Sequence, residues 1–371
     1  MECKIDRDEF VKGLHRVQNV VEKKGTMAIL LNVLIEAQKD GIAIMATDLE
    51  IALKGFHPAD IIKEGKATLS AKKLYEVVKE LPEKKVSLRL KENQWMEISS
   101  GKSNFNIMGL SAETFPSLPT YEEDGFFSAE VEALKEMIEK TIFAVSSDES
   151  RYNLTGVFFT KAGDQEGKDI RMVATDGYRL SMIDRPLKIE GQGLESGILL
   201  PKKGLMEFTR LLDEGGDRVW MKLVNNNFIV KKENVVLIMR LLDAEFPDYR
   251  QVIPQKSKRH FQMKRSQILE SLRRVSILSS EKTKGVKFHF SQDLLELSTY
   301  NPELGEAKEE FAVEYKGEDL IVGFNSRFVL EVLNILKSDQ VIFELEDGKS
   351  PAVIRPSDDE KHTCVIMPMR I

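Results

Sequence analysis

Three similar α+β modules in tandem, each of two helices and an antiparallel sheet, are the architecture this sequence predicts. The first observation behind it is a repeated segment. Leu69-Ser-Ala-Lys-Lys-Leu74-Tyr-Glu76-Val-Val-Lys-Glu-Leu81 returns 131 positions later as Leu200-Pro-Lys-Lys-Gly-Leu205-Met-Glu207-Phe-Thr-Arg-Leu-Leu212. A looser copy follows after a further 124 positions, Phe324-Asn-Ser-Arg-Phe-Val329-Leu-Glu331-Val-Leu-Asn-Ile-Leu336. The second observation is a set of landmarks that keep the same spacing: Ile107-Met108, Ile238-Met239 and Ile366-Met367, together with Phe115-Pro116 and Phe246-Pro247. Ala46-Thr-Asp48 recurs as Ala174-Thr-Asp176, offset by 128. Several landmarks at nearly one offset mark a triplication, and a period of this size is a domain rather than a solenoid turn.

Each copy opens with an amphipathic helix. Apolar residues at spacings of three and four (Phe10, Leu14, Val17, Val21; Leu134, Ile138, Ile142; Ile268, Leu272, Val275) place these over 6–24, 130–140 and 264–274. Strand-like runs follow, Gly41-Ile-Ala-Ile-Met, Gly156-Val-Phe-Phe and Val286-Lys-Phe-His-Phe. The repeated segment is the second helix, opened by Ser70, Pro201 or Asn325; Ser and Asn are good N-caps and Pro is tolerated in the first turn. Further strands close each copy at Val86-Ser-Leu-Arg-Leu, Val219-Trp-Met-Lys-Leu and Val341-Ile-Phe-Glu-Leu. Boundaries are expected in the polar, Pro-bearing stretches 117–125 and 254–260, giving modules over 1–122, 123–255 and 256–371.

Composition narrows the function classes. A hydrophobic content of 42% suits a globular protein with real cores. No apolar run approaches the roughly 18 residues of a membrane span, and the charged N-terminus has no signal-peptide stretch. Two cysteines at opposite ends and five scattered histidines give neither a disulfide framework nor a zinc site, so a reducing cytoplasm is expected. A net charge of -6 argues against a protein that coats nucleic acid over its whole surface, yet leaves room for one basic face.

Catalytic patterns are missing from the sequence. Neither Gly-rich phosphate loop occurs, nor a zinc-protease helix, nor a nucleophile elbow. Asp48 and Asp176 follow strands and resemble catalytic carboxylates, which would make a metal-dependent nuclease. Their recurrence without a fixed His, Cys or Lys favours a turn in which Asp binds backbone amides. No enzyme, metal or cofactor is expected.

Charge on the helices is more telling. The six predicted helices carry a net of about +5 against about -11 for the rest of the chain. Lys72, Lys73, Lys202, Lys203, Arg210, Lys264, Arg273 and Arg274 are the contributors, residues that would touch phosphates without reading bases. The apolar C-terminus, Val365-Ile-Met367-Pro-Met369-Arg-Ile371, reads in part as a final core strand. Its outward side chains would be adaptable apolar surface for a peptide.

Taken together, the three-fold repeat, ATDLE and ATDGYRLS, FPDY with a later IP, Asn301-Pro-Glu303-Leu-Gly-Glu-Ala307 and the terminal VIMPMRI resemble the bacterial DNA polymerase III beta subunit family, the replicative sliding clamps. The resemblance covers the whole chain. It implies the DNA clamp fold: two three-module subunits joined head to tail, six modules in a ring, helices lining the hole. It implies sequence-neutral contact with duplex DNA, with Lys24, Arg151, Tyr152, Lys203 and Arg210 at family contact positions beside the basic helix residues Lys72, Lys73 and Lys202. It implies a partner-peptide pocket of Leu154, Thr175, Gly177, Tyr178, Arg179, Leu180, Pro247, Val252, Pro351, Val365, Ile366, Met367, Pro368, Met369 and Arg370. The implied dimer interface sets Lys102, Phe105 and Ile107 against Ile277, Leu278, Glu303 and Glu306. Partners would be the polymerase III alpha subunit, the clamp loader delta subunit, and other polymerases and repair proteins carrying a clamp-binding motif. The implied location is the nucleoid-associated cytoplasm, with no membrane partner. Asn153 departs from a frequent aromatic, Ala28 from a common Pro, and Tyr178 and Gln251 from other polar or basic residues. A repeat-built peptide scaffold with no DNA role is the alternative.

Overall fold

The structure, a computed structural model, describes residues 1–21, 27–163, 169–187, 194–254, 257 and 259–371. Six α-helices are present among them: α1 Arg7–Val17, α2 Ala71–Lys79, α3 Val131–Ile142, α4 Lys202–Leu212, α5 Arg265–Ser276 and α6 Ser326–Ile335. Every predicted helix therefore forms. The first stops earlier than its apolar spacing suggests, with Val17 its last residue. Val20 and Val21 are both buried and donate their amides to the Val17 carbonyl. Both amides converge on one carbonyl, so the regular i to i−4 ladder ends there and the chain turns.

Caps explain where the helices start. The Asp6 carboxylate accepts the Asp8 and Glu9 amides, Ser70 that of Lys73, and Asn325 that of Arg327. Pro201 is the last residue of the Ile198–Pro201 strand, immediately before α4.

The described residues form two compact units, one of Met1–Val131 with Lys203–Leu241, the other of residues 132–187, 194–202 and 242–371. The first holds a 12-stranded sheet running from Trp95–Ser100 and Ser103–Leu110 through Ile51–Lys63 to Val235–Arg240 and Phe127–Glu130. The second holds an 8-stranded and a 4-stranded sheet. The central repeat is divided because its strands pair outside it. Ile51–Lys63 runs antiparallel to Val235–Arg240, with Ile51 opposite Met239. One repeat on, Arg179–Pro186 runs antiparallel to His362–Ile366, with Arg179 opposite Ile366. Both pairings join equivalent strands of successive repeats.

In the second unit the largest core gathers Phe261, Phe288, Phe290, Tyr315, Phe324 and Phe343 between α5, α6 and the sheets. Phe261 meets Phe290 and Tyr315 edge-on, at centroid distances of 5.0 and 5.2 Å. No helix among the described residues is long and apolar enough to cross a membrane.

His362 lies fully buried at the second of these strand pairings. Its Nε2 is 3.3 Å from Ser181 Oγ and 3.5 Å from Cys364 Sγ. Burial, reinforced by Lys140 and Arg185, pushes its pKa down to about 3 from 6.5. In the unfolded chain the imidazole titrates normally, so the stabilisation is present above pH 6.5 and is lost as pH falls towards 3. Between pH 7 and 5 the second unit should lose about 2 kcal/mol through this residue alone. Urea midpoints of His362→Gln should show a shallower pH dependence than the parent over that range; parallel curves would exclude the assignment.

Candidate functional site

Two hairpins of identical construction prepare the site. Thr47 Oγ1 donates to the Ile51 carbonyl and accepts the Leu49 amide, at 2.9 and 3.0 Å. The Asp48 carboxylate accepts the amides of Glu50 and Ile51, at 3.0 and 2.7 Å. One repeat later Thr175 Oγ1 binds the Arg179 carbonyl and the Gly177 amide at 2.6 and 3.1 Å, while Asp176 accepts the amides of Tyr178 and Arg179 at 2.9 and 3.0 Å. These carboxylates are engaged in satisfying turn amides. No group of three or more His, Cys, Asp or Glu among the described residues is placed to hold a metal.

The second hairpin borders a cavity of about 390 Å³ within the second unit. Of the residues expected to line it, Leu154, Thr175, Gly177, Arg179, Leu180, Pro247, Val252, Val365 and Met367 do so. Beneath it Leu180, Val365 and Tyr249 pack with Val173 and Val353, and Phe246 stacks on Phe158 at 5.1 Å. An apolar floor with a few polar groups at the rim suits a short peptide.

Arg179 holds the wall. It is almost fully buried, bonded to Asp176 at 3.1 Å, to Glu331 on α6 and to the Phe143 carbonyl at 2.7 Å. Its guanidinium lies 4.6 and 5.3 Å from the ring centroids of Phe328 and Phe143. Burial raises the Glu331 pKa, but its bonds to Arg327 and Arg179 outweigh that and hold it below the usual range. Glu331 is thus the fixed Glu of the repeated helix, put to structural use.

Six expected pocket residues lie elsewhere. Ile366 alternates inward into the large core. Tyr178 stacks on Phe328 at 6.4 Å. Met369 bridges to Gly323, with its amide donating to the Gly323 carbonyl at 2.8 Å, which carries Pro368, Met369 and Arg370 away from the cavity. Pro351 does not line it. Conversely Arg151, Asn153, Asp248 and Tyr249 line it without having been assigned to it. The signal available for the last two is FPDY itself, since an Asp-capped turn after Pro247 sets Tyr249 inward, where Asp248 accepts the Arg250 amide.

Residues assigned to DNA are dispersed. Lys24 lies outside the described residues. Lys72 and Lys73 are exposed on α2, both near Glu76. Lys203 pairs with Asp48, and Arg210 with the buried Glu207, whose carboxyl is pushed up by that burial. Lys202 is half-buried, its amide donating to the Thr155 carbonyl. Arg151 donates to the Asp176 carbonyl at 2.7 Å and pairs with Asp148 at 3.1 Å; Tyr152 beside it is exposed. Helices α1, α2, α4 and α5 each carry net positive charge, α6 is neutral and α3 acidic.

Among residues assigned to the dimer interface, Phe105 and Ile277 are 41% and 74% exposed. Lys102, Glu303 and Glu306 are exposed, and Ile107 and Leu278 half-buried.

This combination of tandem two-helix modules, sheets continued from repeat to repeat and an apolar peptide-sized pocket beside the second hairpin is that of a DNA clamp. Family models for the N-terminal, central and C-terminal domains of the DNA polymerase III beta subunit match residues 1–119, 129–248 and 250–370. The beta sliding clamp of Pseudomonas aeruginosa is 33% identical over 373 residues, covering 100% of both chains. The crystal structure of the DNA polymerase III subunit beta from the same organism superposes with a TM-score of 0.94 at 33% identity, again covering 100% of each. A Bartonella birtlesii sliding clamp bound to griselimycin gives 0.94 at 34%, with 100% of both chains covered. The chain belongs to the DNA polymerase III beta subunit family, the bacterial sliding clamps. It is accordingly a non-catalytic processivity subunit, a DNA sliding clamp that recruits partners.

Proposed function

We propose that two copies close head to tail into a ring of six modules, with boundaries near 122 and 255, that encircles duplex DNA in the nucleoid-associated cytoplasm. The observation that carries this reading is a pair of unused strand edges. Ile51–Lys63 receives Val235–Arg240, and Arg179–Pro186 receives His362–Ile366. The equivalent strand of the third repeat, Gly305–Ala312, pairs only with Leu294–Asn301 among the described residues. The first repeat's Ser103–Leu110 pairs with Trp95–Ser100 and, on its other side, only through Gly109 and Leu110. Each copy thus offers one acceptor edge and one donor edge, and a rotation that closes consumes both. Phe105 and Ile107 on the donor and Ile277 and Leu278 beside the acceptor supply the apolar contact. Lys102 against Glu303 and Glu306 supplies complementary charge.

The basic residues contact the DNA backbone weakly. Lys203 and Arg210 are each held by a carboxylate, Asp48 and Glu207, which competes with phosphate. A ring that retains DNA by topology needs no tight grip, and weak phosphate contacts permit sliding. The cavity of the second unit receives clamp-binding segments of the polymerase alpha subunit, the loader's delta subunit, and other polymerases and repair proteins.

Protein placed by a clamp loader on nicked circular DNA is expected to remain there and to run off once the circle is linearised. Equal loss from both forms would refute the ring.

A further inference from the structure

The cavity of the second unit has a counterpart one repeat earlier. Thr47, Leu49, Ala52 and Pro116 stand where Thr175, Gly177, Leu180 and Pro247 stand, and they border a cavity of about 340 Å³ with Ile238 and Arg240. Its floor is apolar: Ala52 and Ile238 are buried in a cluster that Leu118 and Tyr121 join. It lies wholly within the first unit.

Two features set this cavity apart from a relic of duplication. Leu49 has φ of 76°, a left-handed conformation disfavoured for a branched side chain, where the second repeat uses Gly177 at 86°. It is nevertheless 49% exposed, so only partial burial offsets the strain. Strain held at an exposed apolar residue over a cavity is a mark of binding surfaces. Arg240 and Glu50 both lie on the rim and are exposed, and neither has an ion pair among the described residues.

We propose that this cavity is a second peptide site, for a short extended segment of a partner protein in which an apolar side chain is followed closely by a carboxylate. The apolar side chain lies against Leu49, Ala52 and Ile238, and the carboxylate meets the Arg240 guanidinium. With Glu50 on the same rim, the carboxylate is placed by its contact with Arg240 and not by the rim's net charge. The inference rests on reading the cavity of the second unit as a peptide pocket, because the two are related by the repeat.

Both native cysteines are fully buried, so a thiol-reactive trifluoromethyl label will report only from an introduced cysteine. Ser117→Cys and Asp248→Cys occupy equivalent positions beside the first and second cavities. The full-length protein carrying either label is titrated by fluorine NMR with acetyl-Ala-Leu-Leu-Glu-amide. A saturable shift of the label at 117 is expected, with Kd on the order of 1 mM, weakened about tenfold or more by Arg240→Glu. Leu49→Gly should also weaken it about tenfold without lowering the unfolding midpoint, since it relieves strain while removing apolar contact. Response at 248 with none at 117 overturns the second site and leaves the pocket of the second unit intact. Response at 117 alone supports the second site and leaves the pocket of the second unit standing, because Asp248→Cys itself removes the cap that sets Tyr249 inward. A shift at 117 that survives Arg240→Glu, or that an oligothymidylate reproduces, overturns the proposal.

Discussion

Arg179→Ala is expected to destabilise the second unit by about 3–5 kcal/mol, the usual cost of removing one partner of a buried charge network. For a unit of this size that corresponds to a fall of about 10 °C in its unfolding midpoint. The deletion takes the guanidinium from two carboxylates largely screened from water, leaving Asp176 only its turn amides and Glu331 only Arg327. It also empties the space between the rings of Phe143 and Phe328 and leaves the Phe143 carbonyl without its guanidinium donor. Arg179→Lys keeps the charge and three N–H donors, but a compact ammonium cannot reproduce the planar guanidinium fork that spans Asp176, Glu331 and the Phe143 carbonyl, so an intermediate loss is expected. Calorimetry of the three proteins decides it. A midpoint within about 2 °C of the parent for Arg179→Ala would mean that the network contributes little beyond its own desolvation cost.

Phe105→Asp, or separately Ile277→Asp, is expected to raise the dissociation constant of the proposed dimer at least about a hundredfold, because each buries an unpaired carboxylate in the apolar part of the joint. Neither change should disturb its own subunit, since Phe105 and Ile277 are exposed in the single chain. Lys102→Glu should act differently, slowing association and weakening its salt dependence while leaving the apolar contact intact. Sedimentation equilibrium across micromolar concentrations measures all three. A parent protein that stays monomeric there would remove the basis of the ring, and variants that dimerise like the parent would move the joint elsewhere.

Much of this architecture was legible because the chain restates itself. Helix starts followed from local chemistry: Ser70 and Asn325 cap α2 and α6 as their side chains suggest. Strand positions followed from alternation, and both hairpins could be read from ATDLE and ATDGYRLS. The pocket was legible only in part, because segments far apart in sequence converge on it. Asn153, Asp248 and Tyr249 reach it from short turns whose direction no periodicity encodes. Arg151 was placed at the DNA by the family resemblance alone, and its pairing with Asp148 and the Asp176 carbonyl is a local arrangement that no periodicity announces. The terminal run divides for a different reason, with Val365 and Met367 at the cavity and the rest elsewhere. Alternation buries Ile366, and the bridge from Met369 to Gly323 turns the last residues aside, a long-range pairing that composition does not announce.

The division of the central repeat between two compact units separates the unit of inheritance from the unit of packing. Duplication multiplied a segment of about one domain's length, yet the strands of that segment are completed by its neighbours. A chain cut at a repeat boundary would bare Arg179–Pro186 along its whole length, an open edge of the kind that recruits other chains into aggregates. Anyone wishing to isolate the peptide pocket as a small reagent must therefore carry residues 132–202 together with 242–371, and supply a connector where 203–241 is removed. The cut that preserves the fold is not the cut that the repeat suggests.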